Sequence, residues 1–143
     1  HLKRQDRESQ VLYSLMIDRF KDGKQENNQP LNSPEVLFEA DYQGGDLAGI
    51  TQKIKDGFFT DLGISTIWIS PITQNPRDAW GLNENPRTKF SGYHGYWPIY
   101  TTKVDDRFGT EDELRELLST AHENGMNVIL DYVANHLPKE FAV

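Results

Sequence analysis

The stretch NVILDYVANH, residues 127–136, decides the fold. Val128, Ile129 and Leu130 form a short apolar run typical of a buried strand, and polar residues follow at once from Asp131 to His136. Polar side chains at the carboxyl end of a parallel strand usually face a ligand. The sequence therefore predicts a strand over 127–130 with a functional loop directly after it.

Two earlier apolar runs have the same arrangement. VLYSLMI, residues 11–17, is nearly continuous in apolar residues and predicts a strand covered on both faces, ending at Asp18. TIWIS, residues 66–70, predicts the second strand, and a long polar and aromatic loop follows it. The chain thus predicts three strands, each leading into a polar segment.

Helical patterns fill the intervals between these strands. The first begins after Asp46, a residue type that caps helices, and its apolar positions continue to Leu62 before Gly63. The second begins at Thr110, which stands in capping-box spacing with Glu113, and stops at Gly125. Each pattern predicts one helix.

The order β-α-β-α-β predicts parallel strands joined by right-handed crossovers. The helix-to-strand links are short, whereas 27 residues separate Asp18 from Asp46 and 39 separate Ser70 from Thr110. A doubly wound nucleotide fold would have a tight glycine-rich first turn, but residues 21–35 read KDGKQENNQPLNSPE. We therefore predict an α/β chain that forms the first three βα units of a (β/α)₈ TIM-type barrel, with function at the carboxyl ends of its strands.

Composition excludes several classes of protein. The net charge of −7 and the scattered Lys and Arg residues argue against a nucleic-acid partner, and 36% apolar residues provide a core but not a membrane span. The chain has no cysteine, which rules out disulfides and thiol chemistry. It begins at His1 without an apolar leader, which predicts a processed or engineered piece whose targeting segment, if any, has been removed.

The motif GYHGYW, residues 92–97, concentrates aromatic rings and an imidazole in the loop after the second strand. An aromatic ring can stack on the apolar face of a sugar while imidazole donates to a hydroxyl, which suits a neutral, amphipathic ligand. The alternative is that these rings simply bury themselves on the top of the barrel. Residue types alone leave both interpretations open.

Four motifs in order resemble the alpha-amylase family of glycoside hydrolases: DRFKDG (18–23), GGD (44–46), GYHGYW and DYVANH. The resemblance runs roughly from Val11 to His136. It implies a (β/α)₈ barrel with a small domain inserted after strand three, and a reaction that breaks or transfers α-glucosidic bonds with retention. It divides the chain into an N-terminal extension (1–10), the first part of the barrel (11–136) and the start of the inserted domain (137–143).

The resemblance also assigns roles to single residues. Tyr96 matches the stacking tyrosine of the family, and His94 matches a histidine that lines the cleavage subsite. His136 matches a histidine that binds the sugar at the cleavage point, although a histidine satisfied at a strand terminus is the plain alternative. Asp131 matches an aspartate that organises the site rather than a catalyst. Two further aromatic residues of the same loop complete the predicted substrate-binding group, namely Tyr93 and Trp97, and Trp97 is a candidate wall of the cleft.

Two calcium sites are implied in the same way. Asn135 matches a ligand that ties the strand-three loop to the inserted domain. A second site, in the loop after strand one, would use oxygens of Asp22, Asn27, Asn28, Gly44 and Asp46, the donor type that calcium prefers. Lys24 departs from this pattern, and its ammonium would repel the ion or replace it. The alternative is a solvated, turn-rich loop in which Asp46 only caps its helix.

Retaining hydrolysis needs two carboxyl groups about 5 Å apart, and the sequence offers no convincing pair. The resemblance places the catalytic nucleophile and acid after Val143, so we expect no catalytic residue here and no activity from this piece alone. The predicted enzyme is a retaining glycoside hydrolase acting on starch, glycogen or maltooligosaccharides, with calcium as cofactor. Its predicted partners are the α-glucan and the remainder of its own barrel, with no nucleic acid and no membrane.

Three alternatives remain open. A glucanotransferase of the same family would have the same sugar-binding motifs. An inactive amylase-like module for binding, or as a transporter ectodomain, would have no need of the sugar-binding residues, and an independent three-stranded interaction module would not need such long loops on one face. Family resemblance alone favours a secreted or periplasmic location over a cytoplasmic one.

Overall fold

A computed structural model describes residues 9–81 and 88–138 of the chain. Its centre is a parallel sheet of three strands: β1 (Leu12–Leu15), β2 (Thr66–Ile69) and β3 (Asn127–Leu130). The strands lie in the order β1-β2-β3, and Tyr13, Ile67 and Val128 stand side by side in the register. The predicted parallel α/β arrangement is confirmed.

Helices connect the strands. Between β1 and β2 lie α1 (Ile17–Phe20), α2 (Leu47–Lys55) and α3 (Phe58–Asp61), with 3₁₀ turns at Gln25–Asn27 and Phe38–Ala40. Between β2 and β3 lies α4 (Glu111–Glu123), which packs against α2. Since α2 and α4 pack together, both crossovers lie on the same side of the sheet. Consecutive strand order with crossovers on one side is the winding of a barrel, whereas a doubly wound sheet reverses its order.

The first predicted strand is too long at its carboxyl end. β1 stops at Leu15, and Ile17 begins α1 instead of closing the strand. The reason is a contact with the next strand's end, because the Ile17 amide donates to the side-chain hydroxyl of Ser70 at 3.0 Å and not to a backbone carbonyl of a strand. The second strand likewise ends at Ile69, one residue before the prediction.

The predicted single helix from Leu47 to Leu62 is also wrong, because it is two helices. α2 ends at Lys55, and Gly57 adopts φ 88°, a left-handed conformation that cannot continue a right-handed helix. α3 then starts at Phe58, whose amide donates to the Asp56 carboxylate at 3.0 Å. The apolar residues keep their helical spacing across Gly57, so Phe59 of α3 is fully buried in the hydrophobic core.

The core lies between the sheet and the helices. Ile67 and Ile69 of β2 are fully buried against residues such as Ile50 of α2 and Leu117 of α4. The opposite face of the sheet is open in the part of the chain that is described, where Trp68 is 40% exposed and Ile129 41%. In the described residues helices cover one face only, so the second cover that the sequence predicts for the first strand is not supplied by this part of the chain.

None of the helices in the described ranges is long and apolar enough to cross a membrane. The predicted domain limits fall partly outside those ranges. Residues 1–8 of the predicted N-terminal extension and residues 139–143 of the predicted inserted domain lie outside them.

Candidate sugar-binding site

Tyr96, Asp131 and His136 converge at the carboxyl ends of β2 and β3. The Tyr96 hydroxyl donates to Asp131 Oδ2 at 2.6 Å, and His136 Nε2 donates to the Tyr96 carbonyl oxygen at 2.7 Å. The hydroxyl of Tyr96 is thus fixed by Asp131, while the residue is 38% exposed, so part of its ring surface is open to a ligand. The two predicted loops therefore meet at this edge of the sheet, and the predicted organising role of Asp131 stays a prediction.

His94 lies behind Tyr96. Its ring is nearly parallel to the Tyr96 ring, with centroids 6.0 Å apart, and stands edge-on to Trp97 at 4.4 Å. The Tyr96 amide donates to His94 Nδ1 at 3.0 Å, so the proton of the neutral imidazole is on Nε2. This nitrogen can donate to a ligand hydroxyl.

Tyr93 and Trp97 differ in what they can offer a ligand. The Arg19 guanidinium lies 3.8 Å from the centroid of the Tyr93 ring, so one face of that ring is already covered. Trp97 is half-buried, and its backbone amide donates to Asn75 Oδ1 at 2.8 Å. Tyr93 thus serves to join two loops, whereas Trp97 forms a wall of the site.

Buried polar residues hold the GYHGYW loop in place. Asn75 is fully buried, and its amide donates to the Asp105 carboxylate at 2.8 Å. Arg107, equally buried, bridges Asp105 and the Asn75 carbonyl with its guanidinium. Gly95 has φ 85°, and a Cβ there would lie 2.5 Å from the Pro71 carbonyl oxygen. Only glycine can turn the chain so close to β2, which sets His94 and Tyr96 beside each other.

The electrostatics of the site keep both rings neutral. Burial lowers the pKa of His94 to about 4, so the ring is uncharged near pH 7. The hydrogen bond to Asp131 is the first cause that raises the pKa of Tyr96 to about 12, followed by burial. A site of neutral hydrogen-bonding groups and aromatic rings suits a polyhydroxylated, uncharged ligand.

The loop after β1 contains a group of unsatisfied oxygens. Asp22 Oδ1, Asn27 Oδ1 and Asn28 Oδ1 are buried and have no hydrogen-bond partner among the described residues. A Cβ at Gly44 would lie 2.8 Å from the Asn28 amide, so glycine is required for this approach. Burying unpaired oxygens costs free energy unless a cation or other donor meets them. The donor set therefore fits calcium.

Asp46 and Lys24, which the sequence also connected with the calcium site, do not contribute free oxygens or a cation to this group. Asp46 caps α2 by accepting from Gly49 at 2.6 Å, and it also accepts from the amides of Gly23 and Lys24 and from Asn27 Nδ2. Four N–H donors occupy its oxygens. The Lys24 ammonium pairs with Glu113 at the start of α4 instead of entering the oxygen group. The predicted lysine substitute for the ion is thus not what the structure has.

A sequence model described as "Alpha amylase, catalytic domain" matches residues 14–143. The chain belongs to the alpha-amylase family. It is 39% identical over 128 residues to a cyclomaltodextrin glucanotransferase of Bacillus sp. (strain 1-1), a match that covers 88% of this chain and 17% of the relative. An alpha-amylase of Niallia circulans is 32% identical over 136 residues, covering 93% of this chain and 25% of the relative.

Solved structures of the family agree with these matches. The gamma-CGTase from alkalophilic Bacillus clarkii superposes with a TM-score of 0.76 at 35% identity, covering 90% of this chain and 19% of that one. An alpha-amylase from Geobacillus thermoleovorans, solved in complex with acarbose, gives a TM-score of 0.67 at 36% identity, covering 92% and 24%. This alpha-amylase-family chain therefore spans about a fifth of the length of the relatives that it matches.

Asn135, the other predicted calcium ligand of this alpha-amylase-family chain, is exposed at the rim beside His136. In residues 9–81 and 88–138, no three His, Asp or Glu side chains lie close enough together to hold a metal ion. The calcium site at Asn135 stays a prediction, because this residue offers a single amide oxygen and the other ligands would come from elsewhere in the protein.

Three functional candidates in this alpha-amylase-family chain were missed by the sequence prediction. Arg19 joins the first two loops, since it covers Tyr93 and donates to the Asp41 carbonyl at 2.8 Å. Trp80 and Phe90 are large aromatic residues, yet 38% and 47% exposed. Their signal was in the sequence, where two isolated aromatic residues interrupt the polar segment NPRDAWGLNENPRTKF, 75–90.

Proposed function

We propose that this chain supplies the first three βα units of a (β/α)₈ catalytic barrel that breaks or transfers α-glucosidic bonds with retention. The substrate class is starch, glycogen or maltooligosaccharides. The observation that supports this proposal most directly is the hydrogen-bonded group of Tyr96, Asp131 and His136, which joins the ends of two adjacent parallel strands. Family membership supports the reaction class, and the open sheet face supports the longer barrel.

Each group in the site has a role suited to glucose. The Tyr96 ring, fixed in direction by Asp131, is a platform for the apolar face of one sugar ring. His94 donates from Nε2, because its Nδ1 already accepts from the Tyr96 amide. His136 donates from Nε2 to the Tyr96 carbonyl, which leaves its Nδ1 for a ligand hydroxyl. These residues bind and orient the sugar.

Asp131 is a positioning residue in this proposal. Its Oδ2 accepts from the Tyr96 hydroxyl at 2.6 Å, so it fixes the platform instead of attacking the sugar. The family resemblance implies that the nucleophile and the acid that retention requires lie after Val143.

Transfer instead of hydrolysis is the second candidate reaction. Two cyclomaltodextrin glucanotransferases, of Bacillus sp. (strain 1-1) and Geobacillus stearothermophilus, are 39% and 38% identical to this chain. Product analysis distinguishes the reactions. A transferase converts starch to cyclic or elongated glucans, whereas a hydrolase releases reducing ends in proportion to the bonds broken.

Calcium is the proposed cofactor. The free oxygens of Asp22, Asn27 and Asn28 would hold it beside Gly44, and the ion would supply positive charge that locks the loop after β1 to the start of α2. Asn135 would serve a second calcium site with ligands from elsewhere in the protein.

The function is tested by Tyr96→Ala and His136→Asn in the full-length protein, assayed on maltooligosaccharides. Loss of the stacking platform should cost Tyr96→Ala about 1 kcal/mol or more of transition-state binding. His136→Asn should lower kcat more than it raises KM, if its contact tightens in the transition state. Phe38→Ala, at an exposed residue in the loop after β1, is the control. Equal kinetics in all four proteins would reject the assignment, and wild-type protein that binds glucans without turnover would favour the inactive module.

A further inference from the structure

Lys24 brings an ammonium group into the loop after β1, where the free oxygens lie. In the chain it stands between Asp22 and Asn27. Its backbone amide donates to Asp46 Oδ2 at 2.9 Å, and Asn27 Nδ2 donates to the same oxygen at 3.1 Å. The backbone of Lys24 is therefore fixed beside the oxygen group. Its flexible four-carbon stem can carry the ammonium either towards that group or away from it.

The structure turns the ammonium away, towards α4. Lys24 Nζ pairs with the carboxylate of Glu113, which lies in the first turn of α4 and 89 positions further along the chain. Burial would raise the pKa of Glu113, but the hydrogen bonds from Lys24 and from the Thr110 amide lower it below its ordinary value. Glu113 is therefore ionised near pH 7 and neutralises the ammonium.

The Glu113 carboxylate has a fixed position. It accepts from the Thr110 amide at 2.8 Å as part of the capping box of α4. A Cβ at Gly109 would lie 2.5 Å from Glu113 Oε2, so glycine leaves room for the carboxylate. The Glu113 side chain is 14% exposed, whereas that of Lys24 is 52% exposed. The ion pair thus joins a flexible ammonium to an acceptor that the helix start holds in place.

The position of this ammonium matters to an ion in the oxygen group. Asp22 Oδ1, Asn27 Oδ1 and Asn28 Oδ1 have no hydrogen-bond partner among the described residues. Two positive charges close together repel each other, and a carboxylate that neutralises one of them weakens the repulsion. An ammonium released from its carboxylate would also donate to the same oxygens, since buried acceptors without a partner gain free energy from any donor. Lys24 released from Glu113 would therefore compete with calcium.

We propose that Glu113 sets the calcium affinity of the loop after β1 by holding the Lys24 ammonium away from the free oxygens. The inference rests on the proposed calcium cofactor and goes beyond it, because it gives a residue of α4 a role in binding an ion that it does not contact. Glu113 is a positioning residue that acts through Lys24. Retention of the ion in the first crossover thereby depends on the start of the second crossover helix.

The test is a double-mutant cycle on Lys24 and Glu113, measured as the calcium dissociation constant of chelator-treated full-length protein by calorimetric titration. Glu113→Gln should weaken binding about threefold or more, because glutamine can still close the capping box but no longer neutralises the ammonium. Lys24→Met should strengthen binding, because the competing cation is gone. Adding Glu113→Gln to Lys24→Met should then change the affinity little. Glu111→Gln, which removes an equal charge from the same turn but pairs with Arg115, is the control and should match wild type.

The outcomes separate the ion pair from the cap and from the cofactor. If Glu113→Gln weakens binding equally with and without Lys24, Glu113 does not act through the ammonium and the inference is rejected. If Thr110→Ala, which breaks the cap and keeps both charges, weakens binding as much as Glu113→Gln, the helix cap is responsible and the inference is again rejected. If the wild-type protein binds no calcium, the cofactor and the inference fail together, while turnover of maltooligosaccharides by the same sample still decides the proposed function.

Discussion

His94 shows how burial sets the chemistry of one residue. It lies half-buried between Tyr96 and Trp97, and desolvation lowers its pKa to about 4. In water the pKa of histidine is about 6.5. The ring is therefore neutral at the pH where most enzymes work, and it offers one donor and one acceptor without a charge that would have to be desolvated.

The lowered pKa predicts a pH dependence of stability. Above pH 6.5 the ring is neutral in both the folded and unfolded states, so the full stability is present. Between pH 6.5 and 4, His94 becomes protonated in the unfolded chain but stays neutral in the folded protein. The free energy of unfolding therefore falls across that window, by at most about 3 kcal/mol. Below pH 4 both states are protonated and the loss levels off.

The measurement is the melting temperature of the full-length protein between pH 7 and 4. His94→Gln should flatten its decrease, because glutamine does not titrate. His122→Gln, at an exposed position in the last turn of α4, is the matched control and should follow wild type. Identical pH curves for wild type and His94→Gln would contradict the assignment.

At the scale of the element, α4 is defined by its capping box. Thr110 Oγ1 accepts from the Glu113 amide at 3.2 Å, and the Glu113 carboxylate accepts from the Thr110 amide at 2.8 Å. Thr110→Ala should lower the free energy of unfolding by about 1 kcal/mol, since one of the first amides of the helix loses its acceptor. Denaturant titration of the full-length protein measures the loss.

Ser119→Ala is the control for that substitution. Ser119 lies inside α4, and its hydroxyl donates to the Glu116 carbonyl of its own helix. Alanine has the higher helix propensity, so this change should be neutral or slightly stabilising. Equal destabilisation by both substitutions would show that the hydrogen bond of the Thr110 cap does not contribute measurably to the free energy of unfolding.

The loop after β1 carries the calcium prediction. Asp22→Asn keeps the size of the side chain but removes the charge of an unsatisfied, buried oxygen group, and should weaken calcium binding about tenfold. Glu26→Gln removes an equal charge from an exposed residue of the same loop and should change the affinity little. Calorimetric titration of chelator-treated full-length protein measures both. Equal affinities in Asp22→Asn and Glu26→Gln would place the ion elsewhere.

The elements that the sequence predicted well are those with local signals. The capping box predicted α4 to within a residue, and the apolar run predicted β3 as it stands. The break at Gly57 was missed, because the apolar period runs through it and only the backbone conformation interrupts the helix. Trp80 and Phe90 were missed for a different reason, since a bridge between residues ten positions apart has no periodicity to reveal it.

The candidate site was predictable where its residues belong to motifs at strand ends. The motifs predicted that Tyr96, Asp131 and His136 lie close together, because the ends of parallel strands share an edge of the sheet, and the structure joins the three by hydrogen bonds. The pairing of Lys24 with Glu113 depends on two segments 89 residues apart, so no local pattern could predict it.

At the scale of the whole molecule, helices cover one face of the sheet, and the other face is open in the part of the chain that the structure describes. Helices bury Ile67 and Ile69 completely, while Leu12, Trp68 and Ile129 of the other face are each at least 40% exposed. β1 and β3 each pair with β2 alone among the described strands, so each has a free edge. Exposed apolar side chains beside free strand edges favour association.

This arrangement predicts how the 143-residue chain behaves when expressed alone. The open face should drive self-association, because the hydrophobic effect removes those side chains from water in the oligomer. Trp68→Gln combined with Ile129→Gln should shift the chain towards monomer, as both lie on the open face. Phe38→Gln, exposed on the loop after β1, is the matched control and should leave the association as it is. Sedimentation velocity measures the distribution. The chain alone should also leave maltooligosaccharides intact, so a wild-type chain that sediments as a monomer, melts cooperatively and hydrolyses maltooligosaccharides would contradict both the open face and the need for a longer barrel.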